Sequence, residues 1–576
     1  MSEAQQHTSA TRPRGGGFIE LSDQVPEVFS PGDFSAEQIL IQETANRFVE
    51  QEVLPNTGKI EKQEWDVTIQ LLKQCASLGL IGIEVPESFG GSGLDRVSAM
   101  IVAEQMARLG SFSVSWGGQS GIGTLPILYF GSSTLRKKYL PSLCSAEKLS
   151  AYALSEASSG SDALAARTIA TRSPDGTRWI LNGEKMWVTN AAFADLFITF
   201  AKVDGQHFSC FAVEKTFPGI STGAEERKMG LKGSSTRPLV LCDVPVPAEN
   251  LIGQIGKGHE VAFNILNIGR AKLGASACGA SKLALNDAIR YSLQRIAFGK
   301  PISNFGAIQH KLAEMAIRIW VLEAMVYRTA GLMDEALNGI DLDDTTDVVQ
   351  ALREYAVECS IVKVFGSETL DFVVDETVQV HGGYGFSSEY PVERYYRDSR
   401  VHRIFEGTNE INRLMISGAL IKHMVASMEG QSHFTAPADG GILAIAKSAF
   451  AALTRLAMQR FGESFYRTGD EQEIQLLLAD IATEIYAMET AICRSQKALK
   501  IGKQVEVCRD IAMTFQNDSR FRIAAAISQI LARLEISERL SKSILNPLLQ
   551  WQSIDTVATR RRIAGHLLIS TRNSIS

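Results

Sequence analysis

Four stretches of this sequence combine residue types that could do chemistry. The first is Arg403-Ile404-Phe405-Glu406-Gly407-Thr408-Asn409-Glu410, which sets a carboxylate between an apolar pair and a glycine. The helical pattern INRLMISGALIKHM follows, with Thr408 placed to cap it. A carboxylate so placed can lose part of its hydration, which raises its proton affinity towards that of a working general base. Taken alone, Glu406 reads first as a solvated loop glutamate, because acidic side chains are mostly exposed. The second stretch runs from Ala153 to Asp162 and is rich in small hydroxyl residues. Its hydroxyls and backbone N–H groups could approach a planar heteroaromatic ligand; alone, it reads as a surface loop of turn formers. In the third, Trp187-Val188-Thr189-Asn190, a flat aromatic and a hydroxyl share an expected strand after an Asn182-Gly183 turn, although Trp is more often core than platform. The fourth, Gln379-Val380-His381-Gly382-Gly383-Tyr384-Gly385-Phe386, has glycines that let a backbone approach a ligand closely. It lacks the strand-to-helix setting of a dinucleotide fingerprint, and His381 has no metal-ligand companions at useful spacing.

The elements that must hold these residues follow from periodicity. Residues 1–33 form an expected disordered tail, and from Ser35 to Leu149 apolar residues recur every three or four positions, so 34–149 is a helical domain. Between 150 and 258 the texture changes to short alternating segments punctuated by Asp175-Gly176, Asn182-Gly183 and Asp204-Gly205, which predicts an antiparallel β domain. Helical periodicity returns over 259–427 in segments long enough to pack as a bundle. A polar linker spans 428–440, and 441–576 form a further helical domain. The fold class is α+β, mostly α.

At 576 residues the chain exceeds one ordinary core, and 45% hydrophobic with 21% charged residues is a soluble globular balance. A net charge of -6 argues against a nucleic-acid partner. Eight scattered cysteines without CxxC pairing point to reduced thiols, with no disulfide and no metal site expected. The first 17 residues have no apolar core of a secretory signal, and a cytoplasmic protein is expected.

Taken together, the four stretches resemble the acyl-CoA dehydrogenase family. One diagnostic pattern runs from Ala153 to Ala165, the other from Gln379 through Gly382, Gly383, Gly385, Phe386, Glu389 and Arg394 to Asp398, and the likeness spans residues 34–425. It implies an N-terminal helical domain, a middle antiparallel β-barrel and a C-terminal helical bundle holding FAD, with an acyl-CoA thioester between flavin and base. Glu406 is then the catalytic base, since the alternative family position is occupied by Gly269. Leu154, Ser155, Trp187 and Thr189 should contact the isoalloxazine, with Tyr152 beside them. Arg295, Phe298, Phe305, Gln379, Gly382 and Gly383 match positions that bind the FAD pyrophosphate and adenine, partly across a dimer interface; Thr408 and Glu410 match further FAD contacts. Ser161, Asn267 and Arg270 fall at CoA-contacting positions, and the Glu406 N–H, with Gly407 beside it, should polarise the thioester carbonyl.

The implied reaction is α,β-dehydrogenation of a fatty acyl-CoA to trans-2-enoyl-CoA in β-oxidation, with electron transfer flavoprotein as acceptor. The residues beyond the core resemble the very-long-chain class, which implies a homodimer; Gly117 and Gly118, near where shorter-chain enzymes close the acyl pocket, favour long acyl groups. Peripheral membrane contact through GILAIAKSAFAALTRLAMQRFG is conceivable, but its basic face is not clean, so interior packing is favoured. The alternative reading is a non-enzymatic scaffold or assembly factor on the same fold.

Overall fold

A computed structural model of the chain describes residues 14–21, 26–427, 441–467 and 469–570. The N-terminal helical domain opens with Ala36–Phe48, started by a reciprocal capping box. The Gln38 N–H donates to Ser35 Oγ at 3.1 Å and the Ser35 N–H to Gln38 Oε1 at 3.0 Å. Helix Arg96–Met106 packs between Ala36–Phe48 and the long helix Gly258–Gln294, so nearly every side chain on it is buried.

The middle domain is an eight-stranded sheet: β1 (Ser150–Ala153), β2 (Ile169–Arg172), β3 (Arg178–Thr189), β4 (Leu196–Val203), β5 (His207–Glu214), β6 (Ile220–Thr222), β7 (Thr236–Pro247) and β8 (Leu251–Ile252). Its order is β6-β7-β3-β2-β4-β5-β8, with β1 also on β4. The expected antiparallel pattern holds for most pairs, but β1 and β2 lie parallel to β4. Long connections separate them from β4 in sequence, and these are what parallel pairing needs. Strands β4 and β5 are covered on both faces. Phe197, Ala201 and Phe211 fill the interior of the β domain, while Ile198, Phe200 and Cys210 pack into the helical core.

Asp204 and Gly205, with φ of 51° and 73°, make the β4–β5 hairpin turn, and Gly176 lies in the β2–β3 turn. Asn182-Gly183 is not a turn. It lies inside β3 at a bulge, where Asn182 Nδ2 donates to Asp243 Oδ1 on β7 at 3.0 Å. A Cβ on Gly183 would sit 2.5 Å from Thr168 Oγ1, so this glycine serves close strand contact.

In the bundle, Gly258–Gln294 packs along Ala356–His381, and close contact is permitted by Gly274, whose Cβ would meet Val362 Cγ1 at 2.2 Å. The additional domain, with Gly441–Phe461, Gln472–Ile501, Val505–Leu534 and Thr556–Ile569, docks on Gly306–Leu337 and Asn409–Ser427. Its seam with the bundle includes a buried ionic chain in which Arg328 and Lys447 each lie 2.6 Å from Glu489. Helix Gly441–Phe461 is long and apolar enough to cross a membrane, yet most of it is buried within the protein and Lys447 points inward.

The expected disorder of residues 1–33 is corrected where the chain is described. The N–H groups of Gly15 and Gly16 donate to Glu354 and Glu358 at 2.9 and 2.7 Å, Phe18 and Ile19 are buried, and Asp33 pairs with Lys497. Two apolar side chains and a few glycines anchor this strap, too short a pattern for periodicity to reveal. Residues 1–13 and the 428–440 linker lie outside the described residues.

Candidate active site

Glu406 sits between the short helix Arg400–Arg403 and Asn409–Ser427. Glu406 and Gly407 have φ of 59° and 80°. For a glutamate that left-handed backbone costs roughly 1–3 kcal/mol and persists only where the surroundings impose it. Here they do. Asn412 Nδ2 donates to the carbonyls of Glu406, Gly407 and Thr408 at 3.4, 2.8 and 3.0 Å. Arg270 Nε donates to the Glu406 carbonyl at 3.2 Å, and Lys363 Nζ to the Gly407 carbonyl and Asn409 Oδ1, both at 2.7 Å. Thr408 Oγ1 accepts from the Ile411 N–H at 3.3 Å, as a helix cap should.

With its carbonyls held inward, the loop turns the Glu406 side chain towards Gly258–Gln294. A Cβ on Gly269 of that helix would lie 2.8 Å from Glu406 Oε2, so any side chain there would push the carboxylate from this position. Glu406 Oε2 is out of solvent and has no hydrogen-bond partner. Burial pushes the carboxyl up to about 7, against the pull of Arg270 and Lys363. Sequence reading missed Lys363. Its signal was a lone cation in the otherwise uncharged run Cys359–Phe365, which a buried helix tolerates only when the charge is partnered.

Glu406 lines a cavity of about 170 Å³ between the N-terminal domain and the bundle. Gly117, Gly118 and Thr189 lie on its walls. Gly118 must be glycine, because a Cβ would press to 2.8 Å on Asn190 Nδ2, which ties β3 to the Ser115 carbonyl at 3.0 Å. At Gly117 a Cβ would meet nothing within 4 Å. Trp116 is buried beside them, its indole N–H donating to the Leu80 carbonyl at 2.8 Å.

The residues expected at FAD fall in two groups. At the β domain, the β3 bulge between Lys185 and Val188 turns Trp187 outward with φ 60° and 56% exposure. The Tyr152 hydroxyl is buried without a partner, and the Ser155 and Thr189 hydroxyls make no hydrogen bond among the described residues. Leu154 is partly buried, and its carbonyl accepts from Lys185 Nζ at 3.2 Å. An exposed indole beside unspent hydroxyls fits a flat, hydrogen-bonding ring system such as the isoalloxazine. The second group surrounds the end of Ala356–His381. Arg295 lies 5.7 Å from the Tyr384 ring centre, Phe298 is edge-on to Phe305 at 6.0 Å, and Gln379, Gly382 and Gly383 are exposed beside them. No Cβ contact is made at Gly382 or Gly383, which leaves their backbone approachable. Glu410 is exposed, and its carboxyl is held low by its own backbone N–H.

The expected CoA residues are not gathered. Asn267 and Arg270 are buried and joined at 3.0 Å, and Arg270 braces the Glu406 loop; neither lines the cavity, and Ser161 is exposed on the loop after β1. The loop before β2 is instead fixed by a buried pair that sequence reading missed. Glu156 accepts from Lys185 Nζ at 2.7 Å and from the N–H groups of Arg167 and Thr168.

Comparison with known proteins agrees with this geometry. Models of the N-terminal, middle and C-terminal domains of acyl-CoA dehydrogenase match residues 35–147, 151–244 and 256–421, and a further acyl-CoA dehydrogenase C-terminal domain matches 445–545. The chain is 43% identical to a probable acyl-CoA dehydrogenase of Bacillus subtilis (strain 168), over 98% of each. It is 34% identical to the mitochondrial very long-chain specific acyl-CoA dehydrogenase of Rattus norvegicus, over 84% of this chain and 78% of that one. The structure of an acyl-CoA dehydrogenase complexed with FAD from Bacillus anthracis superposes with a TM-score of 0.92 at 43% identity, covering 97% of this chain and 100% of the other. With four domains matched in chain order and a carboxylate held at an apolar cavity, the chain belongs to the acyl-CoA dehydrogenase family, FAD-dependent oxidoreductases acting on CH–CH groups, in the form with an additional C-terminal domain.

Proposed function

We propose that the chain converts long-chain fatty acyl-CoA to trans-2-enoyl-CoA in β-oxidation, with Glu406 as the base that removes the α-proton. The observation that carries this is the Glu406 carboxylate, without a hydrogen-bond partner and with Oε2 out of solvent, in a cavity walled along its length by one long helix. From Gly269 to Leu283 the helix Gly258–Gln294 lines it, and that stretch at 1.5 Å per residue is about 21 Å long. An α-proton is far too weakly acidic for a carboxylate in water, so enolate-like charge on the thioester oxygen must be stabilised. The Glu406 N–H makes no hydrogen bond among the described residues and is free to do this. FAD, when bound, supplies the acceptor for the β-hydride. Glu406 leaves the step neutral, which its buried site favours.

The exposure of four large apolar side chains, Phe298 (95%), Phe386 (91%), Ile296 and Tyr384, supports a homodimer, because exposed apolar surface beyond scattered single residues marks interfaces. With this go a cytoplasmic location, electron transfer flavoprotein as acceptor and interior packing of Gly441–Phe461. The direct test is anaerobic titration of the flavoprotein with saturated acyl-CoA thioesters of increasing length, read as loss of the flavin band. Bleaching strongest with long chains is expected; a bound flavin that no thioester reduces sinks the reading. Since a Cβ on Gly117 meets open space, Gly117→Leu should place its side chain in the cavity and move the optimum to shorter chains. An unchanged optimum would remove Gly117 from the acyl wall.

A further inference from the structure

The acyl cavity does not end on an apolar cap. Its wall on the helix Gly258–Gln294 passes Ile268, Leu273 and Ala280 to Leu283. There a second chamber of about 590 Å³ adjoins it, sharing Leu283 and Arg108 as walls. This chamber is polar: Asn46, Gln105, Lys282, Asn286 and Arg290 line it, and Asn286 Oδ1 is out of solvent without a partner.

Two arginines line the far end of the acyl cavity. Arg108 donates to Asn46 Oδ1 at 2.6 Å and Glu50 Oε1 at 3.2 Å. Arg394, on the helix Val392–Ser399, is placed there by its neighbour Tyr395, whose hydroxyl donates to Asp287 Oδ2 at 3.0 Å. Arg394 is half-buried and lies 5.7 Å from the Tyr395 ring centre, and its guanidinium has no hydrogen bond or ion pair among the described residues. Three of the four acids at this end are paired with cations. Glu50 accepts from Arg108, Glu104 from Lys282 at 2.8 Å and Tyr327 at 2.9 Å, and Asp287 from Arg290 at 2.6 Å; Asp398, on the same wall, accepts only the neutral Leu231 N–H, and its charge is the one that Arg394 faces without a hydrogen bond.

A methyl terminus gains nothing here, since it would strip water from charged groups and replace none of it. A carboxylate would find an unspent guanidinium, whose planar fork matches it in a partly desolvated site. We propose that this end of the channel reads the far terminus of the acyl chain, and that the enzyme accepts long acyl-CoA thioesters bearing a terminal carboxylate, the mono-CoA thioesters of α,ω-dicarboxylic acids. Arg394 is the specificity-determining residue, and Arg108 lines the same cavity.

The proposal rests on the dehydrogenase reading, and the test separates the two. The kcat/KM values for hexadecanoyl-CoA, 16-hydroxyhexadecanoyl-CoA and hexadecanedioyl-CoA are compared in wild type, Arg394→Lys and Arg394→Met. The expected result is that wild type uses the diacid thioester, and that the diacid-to-monoacid ratio falls about tenfold or more in Arg394→Met, with Arg394→Lys between. Because a ratio is read, a general loss of activity in a variant does not imitate the effect. If hexadecanoyl-CoA is oxidised but the diacid is refused, or the ratio is the same in all three proteins, the terminal-carboxylate proposal is overturned while the dehydrogenase stands. Preference for the hydroxy chain over the diacid overturns it equally, since that end would then read a neutral hydrogen-bonding group. Failure of all three thioesters indicts the dehydrogenase reading instead.

Discussion

Glu406→Gln should lower kcat/KM for a long-chain acyl-CoA by about 10²–10⁴-fold, the usual contribution of a positioned general base. The amide keeps the shape of the side chain but cannot take a proton. The same change should improve stability at alkaline pH, because the wild-type carboxyl is held at about 7 by burial against an ordinary value of 4.5. The folded protein therefore keeps this proton over a range in which the unfolded chain has released it. Nothing is lost below pH 4.5, stability falls as pH rises towards 7, and above that the full cost is roughly 3 kcal/mol. Glutamine removes the pH-dependent part. The difference in thermal midpoint, variant minus wild type, should be more positive at pH 8 than at pH 5. In wild type, kcat/KM should rise through an acidic limb near pH 7, since the base must be ionised to act. A variant that keeps wild-type activity, or a midpoint difference that ignores pH, would exclude Glu406 as the buried base.

The succession of helical, β and helical domains was legible because each has its own apolar period. Helix Ala36–Phe48 even shows its start, with Ser35 and Gln38 at capping-box spacing. Asn182-Gly183 misled because the dipeptide favoured in two-residue turns also suits a bulge, and only the contact with Thr168 distinguishes the two uses. At the site, Glu406 is identified through the family resemblance, beyond the pattern that ends at Asp398, and its local sequence alone favours a solvated loop. What sequence could not show was how the loop is held. Arg270, Lys363 and Asn412 come from three helices, separated from Glu406 by 136, 43 and 6 positions, and no local pattern links them. Arg270, expected at CoA, has a role no pattern could show, since it donates to the carbonyl of the base. Arg394, part of the motif, gave no hint that it lines an acyl channel, since a pattern records residue type and not the direction of the side chain.

Lys363 is the second residue whose removal should be severe. Lys363→Met is expected to reduce kcat/KM at pH 7 at least about tenfold, by two routes that can be separated. The first is geometric. The Gly407 carbonyl and Asn409 Oδ1 each lose a 2.7 Å hydrogen bond, and leaving buried acceptors short costs roughly 1–3 kcal/mol and loosens a loop already holding left-handed backbone. The second is electrostatic. Lys363 and Arg270 are the two cations that restrain the proton affinity of Glu406, so loss of one should move the acidic limb to higher pH. Lys363→Arg separates the routes, because arginine keeps the charge at every accessible pH. Burial holds the Lys363 ammonium down to about 8, so in wild type the charge disappears as pH rises through that value. An alkaline limb near pH 8 should follow, since a neutral amine no longer restrains the base loop electrostatically. In Lys363→Arg that limb should be absent while the acidic limb stays near pH 7. An alkaline limb that survives in the arginine variant would belong to another group, and an acidic limb unmoved in Lys363→Met would leave Lys363 only its hydrogen bonds.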